Sequence, residues 1–545
     1  MSSYRRDFLT LSGLATASLL LPGRTWAMPS GAKKPAPLTP PPSAAASAAV
    51  VAKSRVPADI PIAKKAVEAA IAAGASYADA RLVVYRTESI GVRDDHVQAI
   101  KHGEDYGIGV RVIADGGWGF AAAPRVDAKT ATTLAKTAVD SAKRSGKMLR
   151  ELGRPPVAWV GAPVAKGTWV APFEEDPFSV SLADKAEMFV DAAKAVMKVP
   201  GVAHASAGVA LVGEDRAFVS SEGAEVHQIA YRLAPRLTAS VVSERLGRFA
   251  SRDLEVPGMQ AGWEYVREID MLGSAPQVAQ DALRKLHASP VTPGARAVIL
   301  APSNLWLTIH ESIGHPTELD RAMGLEADMA GTSFLRPADA GSRKIAAEGV
   351  NLVADRTQPG GLATVGWDDD GVQPGRWDIV RDGTFVGWQT TRDQAGWAGK
   401  SQSRGCSYGQ RYSGVAFQRM PNVSLQPGAE GYTTEDLINA TEDGVLISGR
   451  GSWSIDQQRY NFQFSGQMFW EVKRGRITRP LRDVAYQANT VDFWNSCDML
   501  GGEGTYRVFG TFGDGKGQPM QSNAVSHGCP PARFEANIVN TGGGK

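Results

Sequence analysis

Residues 295–315 open on Ala295-Arg296-Ala297-Val298-Ile299-Leu300 and close on His310-Glu311-Ser312-Ile313-Gly314-His315. The first six read as a buried strand, and Ser303 reads as the cap of a helix that carries the histidines. Two imidazoles and a carboxylate in so short a span suit a catalytic zinc, which needs neutral nitrogen ligands and a base able to take a proton from water. The histidines are five residues apart, whereas the usual zinc-protease helix spaces them by four. In a regular helix, side chains five apart diverge by about 140° and side chains four apart by only about 40°. The two imidazoles can therefore share a metal only if the helix opens, as a π-bulge would allow. Gly314 and Pro316 stand where such a break costs little, because proline disfavours helical geometry in the residue before it. Glu318 and Asp320 follow as acceptors that can orient the imidazoles.

Beyond about residue 350 the chain is dense in glycine and in aromatic and β-branched runs, broken by turn signals such as Asp368-Asp369-Asp370-Gly371 and Asp382-Gly383. That pattern predicts a β-rich body, barrel- or sandwich-like. On the other side, residues 62–73 read as a helix stopped by Gly74. Short β-type runs follow at 81–85, 107–113 and 117–121, and Asp127 caps a helix predicted to reach Gly146. Ser181 caps another, ahead of β-type runs at 206–212, 216–220, 224–231 and 236–242. A helical segment near 275–287 precedes Pro293-Gly294, which reads as a junction. The expected fold class is α+β. An N-terminal antiparallel sheet with helices occupies residues 58–292, and a β-rich domain carrying the His-Glu-x-x-x-His helix occupies 293–545.

The N-terminus reads differently. Arg5-Arg6 precede a short apolar run ending at Pro22, and Ala27 closes a twin-arginine-type signal over residues 1–27. Residues 28–57 are rich in proline and alanine and read as a tether. The expected destination is the periplasm or another exported location. The 545 residues carry a net charge of +2, which Arg5, Arg6 and Arg24 against Asp7 supply in full. The remaining chain is neutral, with no basic surplus for nucleic acid or anionic lipid. No stretch after the signal has the continuous apolar length of a membrane span. The three cysteines, Cys406, Cys497 and Cys529, are too few for a disulfide framework, and the odd count leaves at least one thiol free.

The motif at 310–315, with Gly324-Leu325-Glu326, Ala330-Gly331-Thr332-Ser333-Phe334-Leu335, Arg419-Met420-Pro421-Asn422 and Pro427-Gly428, resembles the TldD/PmbA (TldD/TldE) family. Gly107-Ile108-Gly109-Val110-Arg111 and Gly116-Gly117-Trp118-Gly119-Phe120 extend the likeness to about residue 60. The resemblance implies two domains joined as a dimer around a cavity, a homodimer or a heterodimer with a paralogue. It further implies a zinc (Zn2+) metalloprotease that cleaves unfolded or modified peptides with a metal-activated water. His310 and His315 are then metal ligands and Glu311 the general base.

TldD-type members place a cysteine ligand just before a Gly-Lys segment. The matching stretch here is Thr511-Phe512-Gly513-Asp514-Gly515-Lys516-Gly517-Gln518, so the position falls on Asp514. A carboxylate is an acceptable third ligand, though harder than a thiolate, and an Asp-Gly pair is also a common turn. Cys497, Cys529 and His527 are rivals for the third place. The competing function is a non-catalytic, peptide-binding scaffold or partner subunit of a TldD/TldE-like complex, and a metal-dependent hydrolase of a non-peptide amide or ester is a third reading.

Overall fold

A computed structural model describes residues 44–542. The twin-arginine-type signal falls outside them. Helix α1 (Ala44–Lys53) and helix α2 (Val56–Ala72) come first, so the last part of the segment read as a tether is helical. An alanine run has high helix propensity, and Val50 gains a place in the buried cluster that includes Ile90 and Phe173. Helix α2 also begins earlier than residue 62, since Pro57 in its first turn has no N–H to satisfy. Gly74, at φ +100°, ends the helix, and the Ala75 N–H bonds back to the Ala70 carbonyl at 3.1 Å.

The first sheet contains β1 (Tyr77–Arg93), β2 (His96–Ala114), β3 (Gly117–Ala123), β4 (Lys166–Val170), β5 (Val202–Ser220), β6 (Glu225–Ser243), β7 (Arg248–Asp253) and β8 (Met259–Gln260). Their order is β3-β2-β1-β5-β6-β4, with β7 and β8 also on β6; pairing is antiparallel except for β4 with β6. The shorter β-type runs seen in sequence merge into strands of 17 to 19 residues. Helix α3 (Ala128–Glu151) is capped by Asp127, whose side chain accepts from the Thr130 N–H. Ser181 caps helix α4 (Leu182–Met197) in the same way. The Gly117–Phe120 motif now has a physical reason. A Cβ on Gly119 would stand 1.9 Å from the Ala138 carbonyl oxygen, so glycine lets β3 lie directly on α3.

Helices α5 (Glu264–Glu268) and α6 (Met271–Leu286) lead to β9 (Ser289–Pro290) and β10 (Gly294–Leu300). Both strands belong to a second, ten-stranded sheet drawn from residues 289–540, in which β10 lies between 443–448 (parallel) and 532–540 (antiparallel). Its apolar cluster includes Leu305, Ile309, Ile313, Phe493, Trp494 and Phe534. A hairpin of residues 507–516 and 521–529 and a four-stranded sheet that includes 422–425 complete the β-rich half.

The Asp368–Gly371 stretch does turn, with Gly371 at φ +74°, but its acids are buried, and Asp369 and Asp370 reach the first sheet. Asp369 pairs with Arg81 at 3.1 Å and Arg216 at 3.0 Å; Arg111 pairs with Asp370 at 2.8 Å and Asp79 at 2.7 Å. The buried pairs to Asp369 and Asp370 join the two halves in one orientation, because leaving any of the charges unpaired would be costly.

Candidate active site

Helix α7 (Pro302–Ile309) leaves β10 with Ala301 as its cap and proline in its first turn. Ser303 is therefore not the cap. It lies inside the helix, where its hydroxyl accepts from the Gly449 N–H at 3.0 Å. After Ile309 the helix widens into a π-turn over His310–Gly314, closed by the His315 N–H on the His310 carbonyl. A short 3-10 turn over His315–Thr317 follows. The carbonyls loosened by this change are taken up by side chains. Gln389 Nε2 donates to the Gly314 carbonyl at 2.6 Å, and Thr317 Oγ1 to the Ile313 carbonyl at 2.7 Å. Gly314 has no room for a Cβ, which would meet Met420 Sδ at 2.6 Å. The Arg419–Asn422 motif thus packs directly under the π-turn.

The wider turn brings His310 and His315 together, with ring centroids 4.5 Å apart. His310 Nε2 lies 3.9 Å and His315 Nε2 3.8 Å from Asp514 Oδ1, and Glu311 Oε2 is 4.0 Å from His315 Nε2. Among the described residues, His310, Glu311 and His315 form a compact group of metal-ligating atoms. All four side chains are at most 5 % exposed. They line a cavity of about 280 Å³ together with Trp306, Arg321, Arg450, Trp453 and Arg459.

Asp514 sits on the hairpin strand 507–516, beside a register shift between Thr511 and Asp514. Arg419, fully buried, donates to its Oδ2 at 3.2 Å and also to its backbone carbonyl, which leaves Oδ1 for the histidines.

The outer contacts differ between the two imidazoles. His315 Nδ1 is 3.0 Å from Glu318 Oε2, and Glu318 is itself held by Arg321 and by Lys516 at 3.1 Å. Asp320 does not reach an imidazole; it accepts from Lys516. His310 Nδ1 is 2.8 Å from His527 Nε2, and His527 Nδ1 is 2.7 Å from the Val423 carbonyl. Burial pushes His310 and His315 well below the ordinary histidine range, so both are neutral at physiological pH. Burial likewise pushes Glu311 up, against the downward pull of Arg459, whose Nη1 lies 2.5 Å from Glu311 Oε2.

Cys497 and Cys529 lie in the apolar cluster, and burial pushes both thiols above their usual range. Cys529 Sγ faces the Pro302 carbonyl at 3.8 Å. Cys406 is also buried, its thiol pushed up to about 12.

Arg459 carried no signal in the sequence. Its left-handed backbone, φ +64°, costs a non-glycine residue about 1 kcal/mol. The turn holding it is fixed by Asp456, which accepts from the Tyr460 and Asn461 N–H groups at 2.8 and 3.0 Å. The Ala330–Thr332 motif buttresses the same turn: Ala330 O accepts from Arg459 at 2.9 Å and Thr332 N–H donates to Gln457 O at 2.7 Å.

An Asp, two His and a nearby Glu can hold one divalent ion. At a tetrahedral angle, bonds of about 2.0–2.2 Å set ligand atoms about 3.4 Å apart, so the separations of 3.9 and 3.8 Å need close by only a few tenths of an ångström around an ion, and Asp514 Oδ1 and both Nε2 atoms accept no hydrogen bond from the groups that orient them.

The profile of the PmbA/TldA metallopeptidase C-terminal domain matches residues 293–540, and that of PmbA/TldA metallopeptidase domain 1 matches residues 78–142. A metalloprotease of Methanothermobacter thermautotrophicus is 27 % identical over 467 residues, covering 85 % of this chain and 95 % of the relative. A zinc metalloprotease TldD homolog of Saccharolobus solfataricus is 24 % identical over 84 % of this chain and 95 % of its own. The solved structure of TldE from Thermococcus kodakarensis superposes with a TM-score of 0.64 at 17 % identity, over 88 % of this chain and all of that one.

Proposed function

We propose that this chain, which belongs to the PmbA/TldD metallopeptidase family, is an exported zinc peptidase that cleaves unfolded peptides. The observation that carries this reading is the π-turn, which directs His310 Nε2 and His315 Nε2 toward a single oxygen of Asp514 in the cavity that Glu311 lines. Zinc bound by His310, His315 and Asp514 would supply Lewis-acid polarisation of the scissile carbonyl and acidify the attacking water.

The protein's own groups supply the rest. Glu311, its carboxyl pushed up by burial, takes the proton from the attacking water and returns it to the leaving amine. Arg459 holds Glu311 in place and lowers the cost of its buried charge. Arg450 lies over the rings of Trp306 at 5.8 Å and Trp453 at 4.6 Å, giving the cavity a cationic wall for a peptide's carbonyls or carboxylates. A cavity of about 280 Å³ accepts an extended segment of a few residues rather than a folded domain, which supports unfolded peptides as substrate. Export rests on the Arg5-Arg6 signal. A homodimer, or a heterodimer with a TldE-like paralogue, is the proposed assembly.

Metal analysis and a peptidase assay test this function. Glu311→Gln keeps the volume and removes the base, so metal content should stay stoichiometric while turnover falls about 10²–10⁴-fold. Unchanged cleavage by that variant would refute the mechanism. The scaffold reading is favoured by one observation, an aspartate at the position where the family resemblance implies a thiolate. It gains the ground if the protein holds no stoichiometric metal after zinc is supplied.

A further inference from the structure

His527 is wholly buried, and both of its ring nitrogens are engaged. Its ring stacks on Trp306, centroids 6.1 Å apart and planes 14° from parallel, while Trp306 meets His310 edge-on at 6.4 Å. The carbonyl of Val423, 2.7 Å from His527 Nδ1, has no proton to give, so Nδ1 carries one and donates it. A neutral imidazole then presents a lone pair at Nε2, which requires the proton on the facing His310 Nδ1, 2.8 Å away. The remaining His310 nitrogen, Nε2, is left unprotonated and directed at Asp514 Oδ1. The polarity of this relay is set by a backbone carbonyl that can only accept.

We propose that His527 is a positioning residue, which fixes His310 in the Nδ1–H tautomer and so prepares its Nε2 as a metal ligand. This rests on the metal-site reading above. It also removes His527 from the rivals for third ligand, because both of its nitrogens are committed. The two imidazoles are thus oriented by unlike partners. His315 donates to a carboxylate that Arg321 and Lys516 anchor, whereas His310 donates to a neutral imidazole backed by a carbonyl. A carboxylate partner raises an imidazole's basicity more than a neutral one does, so His315 is the more basic ligand of the two.

Two measurements test this in the full chain. Long-range nitrogen–carbon NMR correlations on histidine-labelled, metal-free protein read the tautomer directly, and the expected result is a proton on His310 Nδ1 and none on Nε2. Zinc affinity by chelator competition then compares wild type with His527→Leu and His527→Gln. Leucine keeps the bulk and removes the acceptor, and weakens zinc about 10–100-fold; glutamine returns an amide oxygen near the Nε2 position and stays within about threefold. A proton on His310 Nε2 in the metal-free protein, or equal zinc affinity for wild type and the leucine variant, overturns the proposal. Should the leucine variant fail to fold, the wild-type NMR result and the glutamine variant decide it. A wild type that takes up no metal refutes the function proposed above, and the tautomer measurement then decides this inference alone.

Discussion

Lys516→Met removes a cation with no exposed surface from between two buried carboxylates. Lys516 Nζ donates to Glu318 Oε1 at 3.1 Å and to Asp320 Oδ1 at 2.9 Å. Burial pushes the Glu318 carboxyl up, but Lys516, Arg321 and the bond to His315 outweigh that and hold it well below the usual carboxylate range. Glu318 keeps two of those three partners in the variant. Asp320 fares worse, since burial already raises its carboxyl above the ordinary value with Lys516 present. Removing one partner of a buried pair costs about 3–5 kcal/mol, and the lower end applies because Arg321 still serves Glu318.

The pH dependence has a definite sign. Asp320 in the variant has a folded-state pKa further above its unfolded value, so the folded form holds a proton that the unfolded form has lost. Relative to wild type, the variant is weakest above that folded-state value and recovers as pH falls through it toward the unfolded one. The assay is urea denaturation followed by tryptophan fluorescence, with metal chelated so that only the protein's own interactions count. A loss of about 3 kcal/mol at neutral pH, shrinking in mild acid and largely restored by adding Asp320→Asn, is expected. A loss below about 1 kcal/mol, or no recovery in the double variant, would show that Lys516 does not hold the two carboxylates in their charged forms.

Replacing Asp514 by cysteine exchanges a hard oxygen for a thiolate, so zinc should bind more tightly and manganese relatively less, as read by chelator competition. Burial pushes Lys285 down to about 8, its Nζ donating only to the Ser251 carbonyl at 3.1 Å. The folded-state value lies below the unfolded one, so the charged lysine costs stability at neutral pH and the cost fades as pH rises through about 8 toward 10.5. Lys285→Met should therefore stabilise at pH 7 by up to about 3 kcal/mol and add nothing near pH 10.5, compared by urea midpoints. Gly119→Ala forces a methyl against the Ala138 carbonyl at 1.9 Å and should cost about 1–3 kcal/mol in the same measurement.

What the sequence made legible is what short-range physics controls. Asp127 and Ser181 cap the helices expected of them, because a cap needs only the next three residues. The five-residue histidine spacing required a helix opening between residues 310 and 315, and the π-turn lies there. Period alone could not show that Asp369 and Asp370 face arginines of the first sheet, since the same acids in a glycine-ended turn look like ordinary turn residues. Arg459, Lys516 and the role of His527 were hidden for a related reason: each meets its partner across 148 to 217 residues of chain. The alanine-rich stretch from Ala44 has a composition that suits a tether, and only the cluster it docks on makes it a packed helix.

The proposed function makes Asp514 the third metal ligand beside His310 and His315. Anomalous scattering at the zinc edge from zinc-loaded crystals tests it most directly. One peak is expected within about 2.0–2.2 Å of His310 Nε2, His315 Nε2 and an Asp514 carboxylate oxygen, with His527 outside the coordination shell. A peak ligated by His527, Cys497 or Cys529 instead of Asp514, or none between the two histidines, would contradict it.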